Sequence, residues 1–248
     1  MKAMVIAAGQ GQRLRPLTDR TPKAMVPVAG RPMIEYPLLL LRRYGIREIV
    51  INLHHLGEQI EAYLGDGAKL GLKISYSKET ELLDTGGGLL RAKPFLQEGT
   101  FIVINADVLI DLPLAELIDF HRAKKAAATL ALRPDEQADR YGSIDIDSQE
   151  RIYRFLQAKR PVAPTGSTTK LMFTGVQVLE PKIFAYMPAN GGAEKFGTTR
   201  DTYPAMLLAE EKLFGFRFEG FWQDLGTPER ITEAEDKLAR KEAGLHYL

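Results

Sequence analysis

The stretch that most restricts the fold of this chain runs from Met4 to Pro27, M-V-I-A-A-G-Q-G-Q-R-L-R-P-L-T-D-R-T-P-K-A-M-V-P. Met4, Val5 and Ile6 are a short apolar run of the kind that forms a buried strand, and it opens straight into a loop carrying Gly9 and Gly11. Glycine lets backbone approach a ligand with no Cβ in the way, and successive N–H groups in such a loop form a concavity suited to phosphate oxygens. Arg13, Arg15 and Lys23 bring positive charge to the same neighbourhood, while Pro16, Pro22 and Pro27 stiffen the path between them. The pattern is that of a loop built to hold a polyphosphate.

Two phosphate-binding patterns are excluded by these residues. A dinucleotide fingerprint, G-x-G-x-x-G, needs a third glycine where this chain has Leu14. A Walker loop, G-x-x-x-x-G-K-[ST], occurs nowhere in the sequence. What remains is G-x-G-x-R-L-x-P-L-T-x-x-x-P-K, with Pro27 after the lysine, and it resembles the opening signature of the sugar-1-phosphate nucleotidylyltransferases. Short single-domain members include N-acetylmuramate 1-phosphate uridylyltransferases and guanylyltransferases for mannose or heptose 1-phosphates. The resemblance implies an α/β fold of the nucleotide-diphospho-sugar transferase type. That is a three-layer sandwich with a mostly parallel, Rossmann-like sheet and helices on both faces. It also implies Mg²⁺-dependent transfer of a nucleotidyl group from an NTP to a sugar 1-phosphate, with release of pyrophosphate.

Hydrophobic periodicity supports the same architecture independently. Strand-like runs at Ala3–Ala7, Glu48–Asn52, Lys73–Ser77 and Phe101–Asn105 alternate with helical stripes. One helix is expected to start at Pro32 and stop at Gly45, and a second carries Ile60, Tyr63 and Leu64. The second half reads as strands at Ala128–Arg133, Gly142–Ile146, Ile152–Phe155 and Leu171–Leu179, with a flexible connection at Pro161–Thr169. Helices are expected at Pro181–Tyr186 and Thr202–Glu210. A strand pair, Leu213–Phe218 with Phe221–Asp224, then precedes a helix opened by Thr227-Pro228. With 248 residues, 45% of them hydrophobic, the expectation is one domain over residues 1–248, without a C-terminal hexapeptide-repeat domain.

Composition removes several function classes. A net charge of +1 provides no bulk attraction to nucleic acid or an anionic membrane, so phosphate recognition must be local. The absence of cysteine excludes disulfides, thiolate metal sites and cysteine nucleophiles. His54, His55, His121 and His246 lack the spacing of a zinc site and are expected to be structural. The N-terminal apolar run ends in the glycine loop without a cleavage context, and no segment approaches the ~18 apolar residues of a spanning helix. A soluble, cytoplasmic protein is expected, with an NTP and a sugar 1-phosphate as partners. Homo-oligomerisation stays open, since no exposed apolar stripe stands out from the core pattern.

Nucleotidyl transfer asks a sugar-phosphate oxygen to attack the α-phosphorus of an NTP in line with the leaving pyrophosphate. The protein must position two anions and screen their charge, which calls for basic residues, Mg²⁺ and carboxylates to hold it. Asp107 closes I-V-I-N-A-D and Asp224 lies in F-W-Q-D-L-G-T-P; each stands at a strand end, where aspartates also serve as turn formers or caps. The family resemblance assigns both to Mg²⁺ and makes Arg13, Lys23 and Asp107 the catalytic set. Arg13 can grip phosphate bidentately, whereas Lys23 acts as a movable point charge.

The same resemblance gives a nucleotide-binding set of Ala8, Gly9, Gly11, Gln12, Arg13, Lys23, Thr85, Gly86 and Asn105. Thr85 and Gly86 belong to L-L-D-T-G-G-G, which matches the loop that meets the nucleobase. Gly142, Lys159 and Thr174 are the corresponding sugar-phosphate candidates. One departure stands out: the family segment F-x-E-K-P reads F-L-Q-A-K-R here, with Gln157 and Ala158 in place of its glutamate and lysine. Two further classes share part of the pattern. One is nucleotidyl transfer, cytidylyl for example, to a non-sugar phosphate; the other is a non-catalytic nucleotide-sugar-binding regulator. Retention of Arg13, Lys23, Asp107 and Asp224 argues against the regulator.

Overall fold

The structure is a computed structural model that describes residues 1–135, 143–188 and 195–248. Its strands are β1 (Lys2–Ile6), β2 (Pro27–Val28), β3 (Arg31–Pro32), β4 (Glu48–Leu53), β5 (Lys73–Lys78), β6 (Phe101–Asn105), β7 (Val108–Ile110), β8 (Ala128–Arg133), β9 (Ser143–Ile146), β10 (Ile152–Phe155), β11 (Ala158–Lys159), β12 (Thr169–Leu179), β13 (Leu213–Arg217) and β14 (Trp222–Asp224). The α-helices are α1 (Glu35–Arg43), α2 (Gly57–Leu64), α3 (Asp84–Arg91), α4 (Lys93–Leu96), α5 (Leu114–Lys124), α6 (Tyr203–Leu208) and α7 (Pro228–Ala239). Among the described residues no helix is long and apolar enough to cross a membrane.

Ten strands form one mixed sheet. The first half is parallel, in the order β6-β1-β4-β5, and its register sets Ile6 between Asn105 and Asn52. Alternation along these strands splits the core in two. Ala3, Val5, Ile49, Ile51, Ile102 and Ile104 pack on one face with α1, α2 and α7 residues, while Met4, Val50, Phe101 and Val103 pack on the other with α3, α4 and α6 residues. A sheet apolar on both faces must be covered on both, which gives the three layers expected from the sequence.

The second half turns antiparallel around the long strand β12. Its C-terminal part, Val176–Leu179, pairs with β6, whereas Thr169–Met172 pairs with β9; β8 runs along its other edge with a register shift between Phe173 and Gln177. The sheet therefore splits at Thr174-Gly175, and Gly175 adopts a φ of 86° there. Strand β12 also begins two residues earlier than its apolar run, because Thr169 and Lys170 continue the ladder with β9 at the exposed end.

Two expectations are corrected. Helix α1 starts at Glu35 rather than Pro32, because Pro32 pairs with Pro27 in a β2–β3 hairpin turned by Ala29 and Gly30, both at positive φ. Strands β13 and β14 do not pair with each other: β13 joins β8 in parallel and β14 joins β7 antiparallel. The chain changes direction at Gly220, where a Cβ would lie 2.6 Å from the Phe218 ring, and Phe221 then accepts a hydrogen bond from Asp111 N–H. This detour carries Asp224 to the end of β6.

Candidate active site

The glycine loop is folded back on itself at a position that only glycine tolerates. Gly11 has a φ of 64°, and a Cβ there would stand 2.7 Å from Thr18 Cγ2 and 3.0 Å from Lys23 Cβ. The Thr18 hydroxyl closes the fold by donating to the Gly11 carbonyl at 2.8 Å, and three short 3₁₀ turns carry the chain from Gln12 to Met25. Lys23 is thereby held beside the glycine loop, mostly buried, and ion-paired with Asp107. Ala8 is buried, and Gln12 donates to the neighbouring Gln10 side chain at 3.0 Å.

Asp224 reaches the same place from the far end of the chain. In the β7–β14 ribbon it pairs with Val108, the residue after Asp107, and Leu225 N–H donates to the Asp107 carbonyl at 2.9 Å. Burial pushes the Asp224 carboxyl above the usual carboxylate range, and the nearby Asp107 charge adds to the shift against the opposing influence of Lys23 and Arg13. Asp224 Oδ1 accepts from Gly226 N–H at 2.9 Å and from Arg230 Nη1 at 2.5 Å. A Cβ at Gly226 would overlap the Arg13 guanidinium, which places Arg13 against this turn. Four groups from three separate stretches of sequence thus meet: Arg13, Lys23, Asp107 and Asp224.

Two carboxylates held side by side, one destabilised by the other, fit a hard cation with oxygen ligands. Among the described residues there is no cluster of three or more Asp, Glu or His side chains able to hold a metal. A dedicated cage is therefore absent from them. A pair of aspartates instead suits Mg²⁺, which takes one or two carboxylates and fills its octahedron with water and substrate phosphate.

Two clefts flank this centre. The first is lined by Ile6, Ala7, Gly9, Lys23, Ala24, Thr85, Asn105, Ala106 and Asp107, so the glycine loop shares it with Thr85 of the expected base loop, L-L-D-T-G-G-G, most of which the structure folds into the start of α3. Gly86 has a packing reason to be glycine: its N–H donates to the Phe196 carbonyl at 2.9 Å, and a Cβ would overlap the Phe196 ring. Thr85 Oγ1 accepts from Thr198 N–H at 3.0 Å.

The second cleft is lined by Asn105, Val108, Ile144, Phe155, Leu156, Phe173, Thr174, Gly175, Thr199, Trp222 and Asp224. Asn105 belongs to both clefts. Thr174 lies in this wall, but its hydroxyl is turned into the sheet, donating to the Ala131 carbonyl at 2.8 Å. Lys159 pairs with Arg154, while the neighbouring Phe155–Ala158 pair holds the cleft-side phenylalanine. Paired residues share a face, so Lys159 points away from this cleft and Ala158 toward it. Gly142 lies outside the described residues. The sequence reading did not single out Leu156, Thr199 or Trp222 for this wall. Trp222, the only tryptophan, could have been found from its place two residues before Asp224. Thr199 carries no local signal.

The profile of the nucleotidyl transferase family matches residues 2–241. The chain belongs to this family. Curated members similar to it include a UTP–glucose-1-phosphate uridylyltransferase of Synechocystis, 33% identical over 91% of this chain and 60% of that enzyme. Another is an N-acetylmuramate alpha-1-phosphate uridylyltransferase of Neisseria meningitidis, 37% identical over 95% of this chain and 97% of the relative. The chain thus spans about three-fifths of the Synechocystis enzyme and nearly the whole of the Neisseria one. The fold is shared with HddC from Yersinia pseudotuberculosis, solved with GMP-PN, at a TM-score of 0.76 and 24% identity over 96% of this chain and 99% of that one. The span matched by the family profile contains the glycine loop and both aspartates that the geometry brings together.

Proposed function

We propose that this protein transfers a nucleotidyl group from an NTP to a sugar 1-phosphate in the cytoplasm, with Mg²⁺ held by Asp107 and Asp224. The observation that carries this reading is the meeting of Arg13, Lys23, Asp107 and Asp224 between two clefts that share Asn105. One cleft takes the nucleoside triphosphate, with the backbone near Gly9 against its phosphates and Thr85 toward its base. The other takes the sugar, whose phosphate faces the first cleft across Asn105.

In the reaction an oxygen of the sugar phosphate attacks the α-phosphorus, the bond to the β-phosphate breaks, and pyrophosphate leaves. Bound Mg²⁺ supplies positive charge that offsets repulsion between the two anions. Arg13 grips phosphate oxygens with a planar fork, and Lys23 exchanges its carboxylate partner for the charge that builds on the transferring phosphoryl group. The polar groups are preorganised, so little reorganisation remains at the moment of transfer.

The Neisseria relative matches almost end to end, which makes UTP with an N-acylated sugar 1-phosphate the leading pair. The test is a matrix of the common NTPs against sugar and alditol phosphates, read as pyrophosphate released in the presence and absence of Mg²⁺. Stoichiometric pyrophosphate with one sugar 1-phosphate is the expected result. Turnover only with alditol phosphates, or nucleotide-sugar binding without turnover, would replace this reading.

A further inference from the structure

Behind the nucleotide cleft, on the side away from the metal centre, a hydrogen-bonded chain of buried polar side chains runs from one loop to the other. Asn52, at the end of β4, is 1% exposed, and its Oδ1 accepts from Ala7 N–H at 2.8 Å, where β1 opens into the phosphate loop. Its Nδ2 donates to Glu79 Oε1 at 2.7 Å. The other oxygen, Glu79 Oε2, accepts from Leu83 N–H at 3.1 Å, at the root of the base loop. A buried carboxylate is costly unless its oxygens are satisfied, and here both are engaged, one by the Asn52 amide and one by Leu83 N–H. Burial raises the Glu79 pKa against the influence of those two hydrogen bonds. Gly88 shows how closely the chain is fitted: a Cβ there would stand 2.6 Å from Glu79 Oε1 and 2.8 Å from Asn52 Nδ2. His54 Nδ1 steadies the same point by donating to the Glu79 carbonyl at 3.2 Å.

Resting on the nucleotidyl transfer reading, we infer that Asn52 and Glu79 form a positioning strut that fixes the phosphate loop relative to the base loop, so that base and triphosphate are gripped in one register. Neither residue lines either cleft, so both act through the backbone they hold. The strut accounts for the buried acid and for the glycine at position 88 together. Its consequence is selective: damage to it should fall on the NTP and leave the sugar phosphate nearly untouched.

The test exploits the direction of each hydrogen bond. Glu79→Gln alone sets an amide donor against the Asn52 donor or against Leu83 N–H, and Asn52→Asp alone sets two acids against each other. Combined, Asn52→Asp and Glu79→Gln restore every bond. The carboxylate introduced at position 52 accepts from Ala7 N–H and from the amide introduced at position 79, and that amide's oxygen accepts from Leu83 N–H. Each single variant is expected to lower kcat/KM for the NTP about 10- to 100-fold, as misplacement of a bound group does. The sugar 1-phosphate KM should stay within about twofold, and the double variant should recover most of the loss. Hydrogen exchange of the Ala7–Gly9 and Leu83–Thr85 amides in the nucleotide-free protein should quicken in both single variants and slow again in the double. Singles that raise both substrate KM values equally, a double no better than the singles, or unchanged amide exchange would overturn the strut. A wild type without turnover on any substrate pair would instead refute the transfer reading, and the exchange measurement would still decide the strut.

Discussion

The parallel and antiparallel halves of the sheet each supply one cleft, and they do so by different means. In the parallel half the site follows from strand ends: β1, β4, β5 and β6 all stop at one edge, and the groups at or just beyond them are Ala7, Asn52, Glu79 and Asp107. Every one of these is positioned by a regular register and by local turns. In the antiparallel half the wall comes from an interrupted strand at Thr174-Gly175, a hairpin tip at Leu156, and Thr199, which follows the Thr198 bonded to the base loop. Leu156 has a φ of 52°, uncommon for a non-glycine residue and of the kind found where surrounding structure over-determines the backbone. These pieces are placed by a strand break, a turn and a loop rather than by parallel register, and Gly175 packs directly against Asn105 of β6. On the proposed reading, a nucleotide grip built on regular register thus stands beside a sugar wall built from irregular pieces.

The strongest way to break this comparison is to remove the cation of the first cleft that is ion-paired with Asp107, where the two clefts meet. Lys23→Ala is expected to lower turnover ~10²–10³-fold with every substrate pair, since a preorganised charge at the reacting phosphoryl is lost. Circular dichroism and melting should show the fold intact, because Lys23 opens a short 3₁₀ turn and belongs to neither hydrophobic cluster. Near-normal pyrophosphate release would contradict the role given to it. The seam itself comes next. Gly175→Ala would hold an L-residue at a φ of 86° and bring a Cβ to 2.8 Å from Asn105 Nδ2 and 3.1 Å from Val108 Cγ2. A destabilisation of about 1–3 kcal/mol is expected from overpacking, measured by denaturant midpoint. Because Asn105 belongs to both clefts, the KM values of both substrates should rise.

The parallel half was legible because its information is local. The glycine loop, the apolar strand and the acid closing I-V-I-N-A-D each lie within a few residues of the backbone they act on. Asp224 was legible only through a family motif, since nothing in its own surroundings tells of the β7–β14 ribbon that brings it beside Asp107. The sugar wall was poorly legible for a stated reason: which face of β10 and β11 meets the cleft depends on pairing, and pairing puts Ala158 rather than Lys159 on that side. Gly86 teaches the converse. Its sequence context suggests a base contact, while the structure also gives it a packing duty under Phe196. Asn52 and Glu79 are not marked as a pair by the sequence, because the bond that joins them and the one from Ala7 to Asn52 span 27 and 45 residues.

A smaller effect would sharpen the contrast. Gln157→Glu with Ala158→Lys restores the acid and base that related sequences carry on this hairpin. The new lysine should project toward the second cleft with Phe155 and change the sugar 1-phosphate KM by about tenfold, a single charge-assisted contact being worth ~1.5–3 kcal/mol at most. The NTP KM should stay within about twofold. A larger change for the NTP than for the sugar phosphate would show that the halves are not separable in this way.

The smallest expected effect lies at the opposite edge of the sheet, where the two halves are joined by a buried polar network. His121, 2% exposed, faces Thr129 Oγ1 at 2.9 Å through Nδ1 and Glu180 Oε1 at 3.2 Å through Nε2, and Thr100 Oγ1 also donates to Glu180 at 2.6 Å. The neutral ring satisfies both contacts by accepting from the Thr129 hydroxyl and donating to Glu180. Burial depresses its pKa below the ordinary 6.5, with Glu180 opposing. The unfolded chain therefore binds the proton more readily than the native one, and stability rises with pH across that window. Its contribution is complete above the ordinary histidine value and is lost as pH falls toward the depressed one. Melting temperatures of the wild type and His121→Gln, compared from about pH 8 down to about pH 5, should show the steeper acid decline in the wild type. Parallel curves would mean that the histidine is not held neutral. Because this network lies far from both clefts, the ratio of turnover between substrates should not move in either protein.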